Sequence, residues 1–263
     1  MCTFKKHILY IAMLFSSSIY GESVTLGTGV NADPPFVYGE GNIISTKPGL
    51  TIELFKLIEK KFGIEIIIVK RPWARVLNEI KANELDGGFH FSFNKKRIPF
   101  YAFPINKKQD LPSKEFSLSQ RVDTLYTLKG AEIHWNGETL VNSTSELLNV
   151  AVIRGGAISH KLKQKHLKLY QVSNDTQLLK LLLSRRVDAI IGLENMVDAK
   201  IQQLEVNQQS IIEKSSAISK VEPYYLVFSK KFYQEKPETA WKIWEAIELI
   251  KQSEEYLRIV ESY

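Results

Sequence analysis

The stretches 77–87 (LNEIKANELDG) and 179–189 (LKLLLSRRVDA) follow one pattern. Each begins with apolar residues at helical spacing and continues through a polar or basic break to a hydrophobic residue, an Asp and a small residue. An apolar run that predicts a β-strand follows in both cases. The repetition indicates that one unit of alternating helix and strand is built twice along the chain.

Residues before the first stretch complete the first unit. Pro48-Gly49 introduces a predicted amphipathic helix, which ends at Gly63. The run 64–69 (IEIIIV) predicts a buried strand, and Pro72 begins a second helix that leads to a strand near Asp86. This alternation is the pattern of a parallel sheet covered by helices.

The second unit surrounds the other stretch. Val150–Ile153 predicts a strand, and Gly155-Gly156 leads into a predicted helix through Lys161–His166. Asp175 is predicted to cap a Leu-rich helix, which is followed by the strand Val187–Ile191. Two such units predict two similar lobes, with a ligand site in the cleft at the carboxyl ends of the strands.

The remaining segments connect or complete these units. Residues 106–149 predict an irregular connection with edge elements. The tail predicts a strand at Tyr224–Phe228, an amphipathic helix containing Trp241 and Trp244, and a shorter terminal helix. The fold class predicted is therefore α/β.

Composition excludes several classes of protein. The chain has 263 residues, a net charge of +6, 44% hydrophobic residues and one cysteine. These values are ordinary for a globular protein and disfavour disorder, collagen and coiled coil. A single cysteine excludes a disulfide framework and a multi-cysteine metal site, so no metal is predicted. Because Lys and Arg are scattered, no nucleic-acid partner is predicted.

One segment formally matches a cofactor motif. Gly27-x-Gly29-x-x-Ala32 has the spacing of a dinucleotide fingerprint. That motif needs a helix to begin immediately afterwards, which Pro34-Pro35 prevents. No cofactor is therefore predicted.

Residues 1–21 have the layout of a secretory signal peptide. Lys5 and Lys6 precede the apolar run Ile8–Phe15, and small residues then lead to Gly21 as the last residue before cleavage. The run is shorter than the roughly 20 residues needed to span a bilayer, which disfavours a retained anchor. The predicted mature chain begins near Glu22, lacks cysteine and is exported.

A set of further segments occurs in a familiar order and spacing. They are 34–38 (PPFVY), 48–54 (PGLTIEL), 85–87 (LDG), Ser92 followed by 94–97 (NKKR), 103–104 (FP), 150–156 (VAVIRGG) and 186–192 (RVDAIIG). Behind a signal peptide, they make the mature chain resemble the bacterial periplasmic solute-binding proteins of the polar amino-acid transporter type (type II, family 3). The stretch 71–75 (RPWAR) resembles a branch of that family whose ligands are mostly unassigned.

This resemblance implies a domain division and a site. The implied fold has two lobes, each a mostly parallel sheet flanked by helices, and the chain crosses between them twice. Residues 22–107 and 222–263 would form lobe 1, and residues 108–221 lobe 2. Arg97 matches the family arginine that binds a ligand carboxylate through a bidentate fork, which Lys cannot imitate. The alternative is a solvated charge beside Lys95 and Lys96.

His90 and Ser92 match positions where the family places small hydroxyl residues that contact the ligand. One residue apart on a predicted strand, they would face one side while Phe89, Phe91 and Phe93 face the other. A structural histidine with satisfied hydrogen bonds is an equally good interpretation of His90.

Trp73 and Asp33 match positions on opposite walls of the family cleft. Trp73 would stack on an apolar or cationic part of the ligand, or simply pack its helix on the sheet. Asp33 would pair with a ligand cation or shape the Pro-Pro turn, and the turn role is slightly favoured.

The second lobe is expected to contribute main-chain donors. Gly156 and Ala157 would open a helix whose free N–H groups hold an anion. The family usually places an Asp five residues after the position of Asp188 to bind the ligand's ammonium group, but this chain has Leu193 there. Glu194 is the neighbouring candidate for that role.

The resemblance therefore implies a non-enzymatic periplasmic binding protein without catalytic residues. Its lobes would close on a small polar, carboxylate-bearing ligand, an amino acid or a related compound. It would act as a monomer and deliver the ligand to an inner-membrane ABC permease or to a sensor. The alternative is a periplasmic enzyme on the same scaffold, such as a dehydratase of cyclic acids, with His90 and either Glu194 or Asp33 as general acid and base.

Overall fold

The structure, a computed structural model, describes residues 22–39, 41, 45–106, 110–142, 147–162, 166–219 and 221–263. Its strands are β1 (Glu22–Gly29), β2 (Ile64–Arg71), β3 (Gly87–Ser92), β4 (Tyr101–Ala102), β5 (Ile105–Asn106), β6 (Leu111–Pro112), β7 (Ser117–Arg121), β8 (Asp123–Leu128), β9 (Ile133–Trp135), β10 (Leu140–Asn142), β11 (Leu148–Ile153), β12 (Leu167–Val172), β13 (Ala189–Leu193), β14 (Ile212–Ile218) and β15 (Glu222–Ser229). Its helices are α1 (Leu50–Phe62), α2 (Trp73–Lys81), α3 (Ile158–Lys161), α4 (Asp175–Leu183), α5 (Glu194–Ile201), α6 (Val206–Ser210), α7 (Lys230–Glu235), α8 (Pro237–Lys251) and α9 (Glu254–Glu261).

The first sheet is formed by the two ends of the chain. Its strand order is β2-β1-β3-β15-β4, and β7 also pairs with β15. β1 runs parallel to β2 and β3, whereas β15 runs antiparallel to β3, β4 and β7. The parallel strands β1, β2 and β3 therefore end on the same side of the sheet.

The second sheet repeats this arrangement. Its strand order is β12-β11-β13-β8-β14, with β11 parallel to β12 and β13 and with β8 antiparallel to β13 and β14. Two mixed sheets with a parallel core, each flanked by helices, confirm the predicted α/β class.

Helices cover both faces of each sheet. In the first sheet, α1, α8 and α9 bury one face around Trp244 and Phe55, and α2 buries the other around Val76. α1 ends as predicted, because Gly63 adopts a left-handed φ of 67° and donates its N–H to Glu59. In the second sheet, the β9–β10 hairpin and α3 cover one face, and α4 and α5 cover the other.

The connection predicted to be irregular is wrong in part. Residues 106–149 include β8, which lies inside the second sheet with all six residues buried, and the β9–β10 hairpin. The polar residues of β8 (DTLYTL) hide a buried strand from sequence analysis. Thr124 and Tyr126 are buried because their hydroxyls find partners inside the protein, as when Thr124 donates to Glu194 at 2.8 Å.

The first crossing between the sheets lies later than the predicted boundary at 107/108. β7 still pairs with β15 in the first sheet, so the chain leaves that sheet at Val122. β14 ends at Ile218 and β15 begins at Glu222, close to the second predicted boundary. We use lobe 1 for residues 22–121 and 222–263, and lobe 2 for residues 122–219.

Two local predictions in lobe 2 are also wrong. The helix expected through Lys161–His166 ends at Lys161, and β12 begins at Leu167. Asn174, not Asp175, caps α4, since its side chain accepts the N–H of Gln177 at 2.9 Å. Asp175 is the first helical residue, which leaves its carboxylate at the amino end of α4.

No helix in the described part of the chain combines the length and apolar character needed to cross a membrane. The predicted signal peptide, residues 1–21, lies outside the described residues and stays a prediction.

Candidate functional site

A cavity with a volume of about 130 Å³ lies between the two lobes. Its wall includes residues that follow β1, β11 and β13, at the carboxyl ends of parallel strands, where a ligand site is expected. Among the predicted site residues, the wall contains Asp33, Trp73, His90, Ser92, Arg97, Gly156 and Ala157. Glu194 is not part of it.

Arg97 ends a short 3₁₀ turn (Lys95–Arg97) that is capped by the side chain of Asn94. Its Nη1 donates to the carbonyl oxygen of Ser92 at 2.8 Å and to the Ser92 hydroxyl at 2.9 Å. Its Nη2 donates to the carbonyl oxygen of Gly155 in lobe 2 at 3.1 Å. The guanidinium is therefore held in place from both lobes.

The charge of Arg97 has no acidic partner, since no carboxylate of the described residues forms an ion pair with it. Glu222 acts on it only at longer range and is itself paired with Lys161. Burial lowers the pKa of Arg97, because the charged guanidinium loses solvation. An anion in the cavity would compensate for that loss, and a carboxylate fits the planar guanidinium.

A bulge at His90 interrupts β3. His90 has a φ of 63°, in the left-handed region, and the register with β15 shifts opposite it. Phe89 therefore packs on Phe55 on one face of the sheet, with ring centroids 5.2 Å apart, whereas Phe91 packs on Trp73 on the other, at 4.7 Å. The prediction that the phenylalanines share one face is wrong, because a bulge shifts the alternation of side chains.

His90 belongs to a buried network with Asp33 and Arg121. Nη1 of Arg121 donates to Oδ1 of Asp33 at 2.5 Å, and its Nη2 lies 2.9 Å from Nδ1 of His90. That Nδ1 is also 3.0 Å from Oδ2 of Asp33, and Nε2 of His90 is 2.9 Å from the Thr51 hydroxyl. Since both ring nitrogens and both carboxylate oxygens have partners, the contacts favour structural roles for His90 and Asp33.

Arg121 determines the charges in this network. Burial would raise the pKa of the Asp33 carboxyl, but attraction to Arg121 and hydrogen bonding to His90 hold it well below its usual range. Burial, and then repulsion by Arg121, lower the pKa of His90 to about 4. His90 is therefore neutral at pH 7, and the ion pair of the network is Arg121 with Asp33.

The first two residues of α5 point in different directions. The side chain of Asn195 reaches lobe 1, where its Nδ2 donates to Oδ1 of Asp33 at 2.8 Å and to the carbonyl oxygen of Pro34 at 2.7 Å. Glu194 accepts from the Thr124 hydroxyl at 2.8 Å and pairs with Lys214 at 3.0 Å. These partners hold Glu194 against β8 and β14, away from the cavity, which argues against its predicted contact with a ligand.

Trp73 meets lobe 2 at Gly155. Trp73 begins α2, lines the cavity and packs on the sheet through Phe91. Gly155 has a φ of 75°, and a Cβ on it would lie 2.8 Å from Cδ1 of Leu77 and 3.6 Å from Cδ1 of Trp73. The missing side chain of Gly155 allows the two lobes to touch here.

The main-chain donors expected after Gly155 are only partly available. The N–H of Gly156 donates to the carbonyl oxygen of Ile153 at 3.1 Å, so the prediction that it is free for an anion is wrong. Ala157 precedes α3, which is only four residues long. So short a helix has a weak dipole, and Arg97 is the stronger candidate for binding an anion.

Comparisons with known proteins give structural matches. No family model and no curated protein matches the chain. An ancestral arginine-binding protein bound to arginine superposes with a TM-score of 0.68 at 18% identity, over 92% of this chain and 97% of that chain. The substrate-binding protein of an amino acid ABC transporter gives 0.67 at 18% identity, over 92% and 98%. A histidine kinase sensor domain with similarity to periplasmic binding proteins gives 0.69 at 16% identity, over 92% and 95%.

This chain has the two-lobed periplasmic-binding-protein fold. The matches span both lobes, which confirms the predicted architecture with a cleft between them. The cavity that contains Arg97 occupies the cleft of this periplasmic-binding-protein fold.

Sequence reasoning missed several polar residues of the cleft, among them Arg121, Asp123 and Asp175, which line the cavity, and Asn195, which joins the lobes. Arg121 and Asp123 fall in the segment predicted to be irregular, and Asp175 was predicted only as a helix cap. Its position held a usable signal, because a residue that begins a helix after a parallel strand lies at the ligand-binding edge of the sheet. Asn195 had no such signal, since its partner Asp33 is 162 residues away.

Proposed function

We propose that this protein is an exported, non-enzymatic binding protein whose lobes close on a small carboxylate-bearing ligand. The observation that carries the proposal is Arg97, a half-buried guanidinium that lines the cleft and forms no ion pair with the described residues. The carbonyl oxygen and the hydroxyl of Ser92 accept hydrogen bonds from Nη1 of Arg97 and so orient the guanidinium. A ligand carboxylate would supply the missing negative charge.

Closure is supported by contacts that join the lobes. Asn195 donates to Asp33, Arg97 donates to the carbonyl of Gly155, and Lys161 pairs with Glu222 across the cleft. Such contacts stabilise a closed state, and a ligand that also touches both lobes would shift the population toward it.

The binding role is favoured over the enzymatic alternative by the state of His90. It is neutral at pH 7, and both ring nitrogens are engaged inside the protein. Its partner Asp33 is already paired with Arg121. A general acid or base needs a free nitrogen or oxygen directed at the substrate, and neither residue offers one here.

Delivery to an ABC permease or to a sensor is part of the proposal. It is supported by the fold, which occurs in both a transporter's substrate-binding protein and a kinase sensor domain. Export is supported by the signal-peptide layout of residues 1–21. Amino-terminal sequencing of protein from a periplasmic fraction would check it, with Glu22 as the expected first residue.

Calorimetry with amino acids, small carboxylates and short peptides tests the site. For any binder, Arg97→Ala is expected to weaken affinity about 100-fold and Arg97→Lys about tenfold, because Lys keeps the charge but loses the fork. Lys96→Ala is the matched control, since this exposed neighbour should change affinity less than about twofold. A binder that tolerates Arg97→Ala would refute the assignment of the site.

A further inference from the structure

We infer that the ligand's carboxylate enters the cavity together with protons from the solvent, which Asp123 and Asp175 then hold as neutral carboxylic acids. The inference rests on the proposed function, since it concerns the same cavity and the same Arg97. Both acids line that cavity, at positions to which the sequence assigned no ligand role. Ligand binding would therefore be regulated by pH.

Asp123 is a buried carboxylate without a partner. Its side chain takes part in no hydrogen bond or ion pair with the described residues, although the residue is only 7% exposed. Its backbone is held in place, because its N–H donates to the Ser219 hydroxyl at 2.8 Å and its carbonyl accepts from the Ser219 N–H at 3.0 Å. The nearby cation Lys161 is already paired with Glu222.

Asp175 can accept a proton without losing its hydrogen bonds. It lies at the amino end of α4 and is 2% exposed. Its own N–H and the side chain of Asn31, in lobe 1, hydrogen bond to its carboxylate. A protonated carboxyl group keeps an oxygen that accepts such bonds. The contact with Asn31 is therefore compatible with a neutral Asp175.

Closure of the lobes brings acidic residues together. Burial is the main effect that raises the pKa of both Asp123 and Asp175 to about 6, because their charged forms lose solvation. Repulsion across the cleft acts in the same direction, by Glu222 of lobe 1 on Asp123 and by Asp33 of lobe 1 on Asp175. At pH 7.5 both acids are still mainly ionised in the ligand-free cleft.

A bound carboxylate adds to this negative charge. Arg121 and Asp33 neutralise each other, and Lys161 and Glu222 do the same. Arg97 and the two ionised acids remain, and a carboxylate on Arg97 uses up the positive charge. The two negative charges left over raise the pKa of both acids further. Two protons restore neutrality, or one proton where the ligand also carries an ammonium group.

The lobe 2 wall of the cavity is otherwise largely apolar. The residues Ile153, Ile158, Ile191, Leu193 and Met196 line it, and their side chains carry neither a charge nor a hydrogen-bond donor. An unpaired charge buried beside such side chains costs far more than a neutral polar group does. The neutral carboxylic acid is therefore the form of the two acids that suits this wall once the cleft has closed.

Calorimetry at pH 7.5 in HEPES and in Tris measures the proton uptake, since the two buffers release protons with different enthalpies. The probes are butyrate, 4-aminobutyrate and every compound whose binding depends on Arg97. We expect uptake of about two protons with an amine-free acid and about one with an ammonium carboxylate. Affinity should be about tenfold higher at pH 6.0 than at pH 7.5, because the protonated acids are then already populated.

Asparagine variants test whether the two acids hold the protons. Asp123→Asn and Asp175→Asn are neutral at every pH, so each should reduce the uptake. The double variant should bind without uptake, and its affinities at pH 6.0 and 7.5 should agree within about twofold. Asp110→Asn, at an exposed acid of lobe 1 that pairs with Lys95, is the matched control and should keep the full uptake.

The other charged or titratable groups that face the two acids stay in place in these variants. They are Lys161, Glu222 and Tyr224 around Asp123, and Asp33, Lys200 and Tyr126 around Asp175. Burial raises the pKa of both tyrosines, and Asp33 stays ionised beside Arg121. His90, which contacts Asp33, is neutral over this pH range.

The outcomes separate this inference from the proposed function. Arg97-dependent binding without proton uptake, or with affinity that falls on acidification, would overturn the inference and leave the role of Arg97 intact. Full uptake in the double variant, with an unchanged thermal transition, would also overturn it, because other groups would then hold the protons. A panel in which no compound binds in an Arg97-dependent way would overturn the proposed function and the inference with it.

Discussion

The two walls of the cavity treat buried charge in opposite ways. On lobe 1, Asp33 is paired with Arg121, and His90 beside them is neutral. On lobe 2, Asp123 and Asp175 have no ion-pair partner among the described residues. The Asp33–Arg121 pair of lobe 1 is completed by the protein's own side chains, and Arg97 is the charge of that wall without an acidic partner among the described residues. Neither of these two acids of lobe 2 has a cationic partner of that kind.

The ion pair of Asp33 and Arg121 stabilises the folded protein, whereas the unpaired acids Asp123 and Asp175 lower its stability. A paired buried charge is expensive to break, since removal of one partner leaves the other desolvated and alone. An unpaired buried carboxylate costs stability from the start, because its native state prefers the protonated form. Substitution should therefore destabilise the lobe 1 wall and stabilise the lobe 2 wall.

The largest effect is expected for Arg121→Met. The variant leaves Asp33 buried without its cation, and we expect a loss of about 3–5 kcal/mol in the free energy of unfolding, measured by urea denaturation at pH 7.5. Arg75→Met is the control, because Arg75 pairs with Glu79 on the surface of α2 and should cost less than about 0.5 kcal/mol.

A second substitution sharpens this test. If the cost arises from an unpaired Asp33, adding Asp33→Asn to Arg121→Met should recover part of the lost stability, since the amide carries no charge. If the double variant is as unstable as the sum of the two single variants, the ion pair is not the source. The claim that the Asp33–Arg121 ion pair stabilises lobe 1 would then be wrong.

An effect of opposite sign and smaller size is expected for Asp123→Asn. The pKa of Asp123 rises from 3.8 to about 6 on folding, so the native state binds a proton more firmly than the unfolded state. Stability is therefore lost as pH rises from about 4 to 6, and the full penalty is present above pH 6. Removing the carboxylate should stabilise the ligand-free protein by about 1–3 kcal/mol at pH 7.5 and by little at pH 4.

Thermal unfolding at both pH values measures this. His90 titrates in an overlapping window with the reverse sign, since its pKa is lowered to about 4, but it is present in both proteins and cancels in the difference. Asp110→Asn should leave the transition unchanged at both pH values. A variant less stable than the wild type at pH 7.5 would mean that Asp123 has a structural partner. The carboxylate of Asp123 would then not lower the free energy of unfolding.

Local signals in the sequence predicted the elements of the fold well. Gly63 ends α1 and Pro72 precedes α2 as predicted, because each residue acts through its own backbone geometry. The apolar runs likewise identified β2 and β11 as strands. β11 is largely buried as predicted, whereas the prediction that β2 is buried is wrong, because β2 lies at the edge of its sheet and Ile67 is exposed. β8 was missed because its threonines and aspartate are polar in sequence yet buried in the structure, and the partner of Thr124, Glu194, is 70 residues away.

Contacts between distant segments limited prediction of the site. Arg97, Ser92 and Trp73 were found through their resemblance to family positions, and all three line the cavity. Arg121 and Asp33 are 88 residues apart, so neither residue's pattern predicts their pairing. The bulge at His90 depends on the register of β3 with β15, which no local alternation reveals.

The smallest effect on stability is expected for Gly155→Ala, which alters the point where lobe 2 touches α2 of lobe 1. An alanine there must adopt a φ of 75°, which costs about 1–2 kcal/mol, and its Cβ would lie 2.8 Å from Cδ1 of Leu77 in the other lobe. Gly130→Ala is the matched control, since that glycine has a φ of 81° in the same lobe and nothing within 4 Å of the added atom. Both variants should lose similar stability, because the backbone strain is similar.

Ligand affinity should separate the two glycine variants. The contact with Leu77 exists only when the lobes are closed, so Gly155→Ala raises the free energy of the closed state more than that of an open one. Leu77 is flexible at its end, and we therefore expect a modest weakening of about three- to tenfold by calorimetry, against no change in Gly130→Ala. Equal affinities in the two variants would mean that ligand binding does not require the approach of Gly155 to α2.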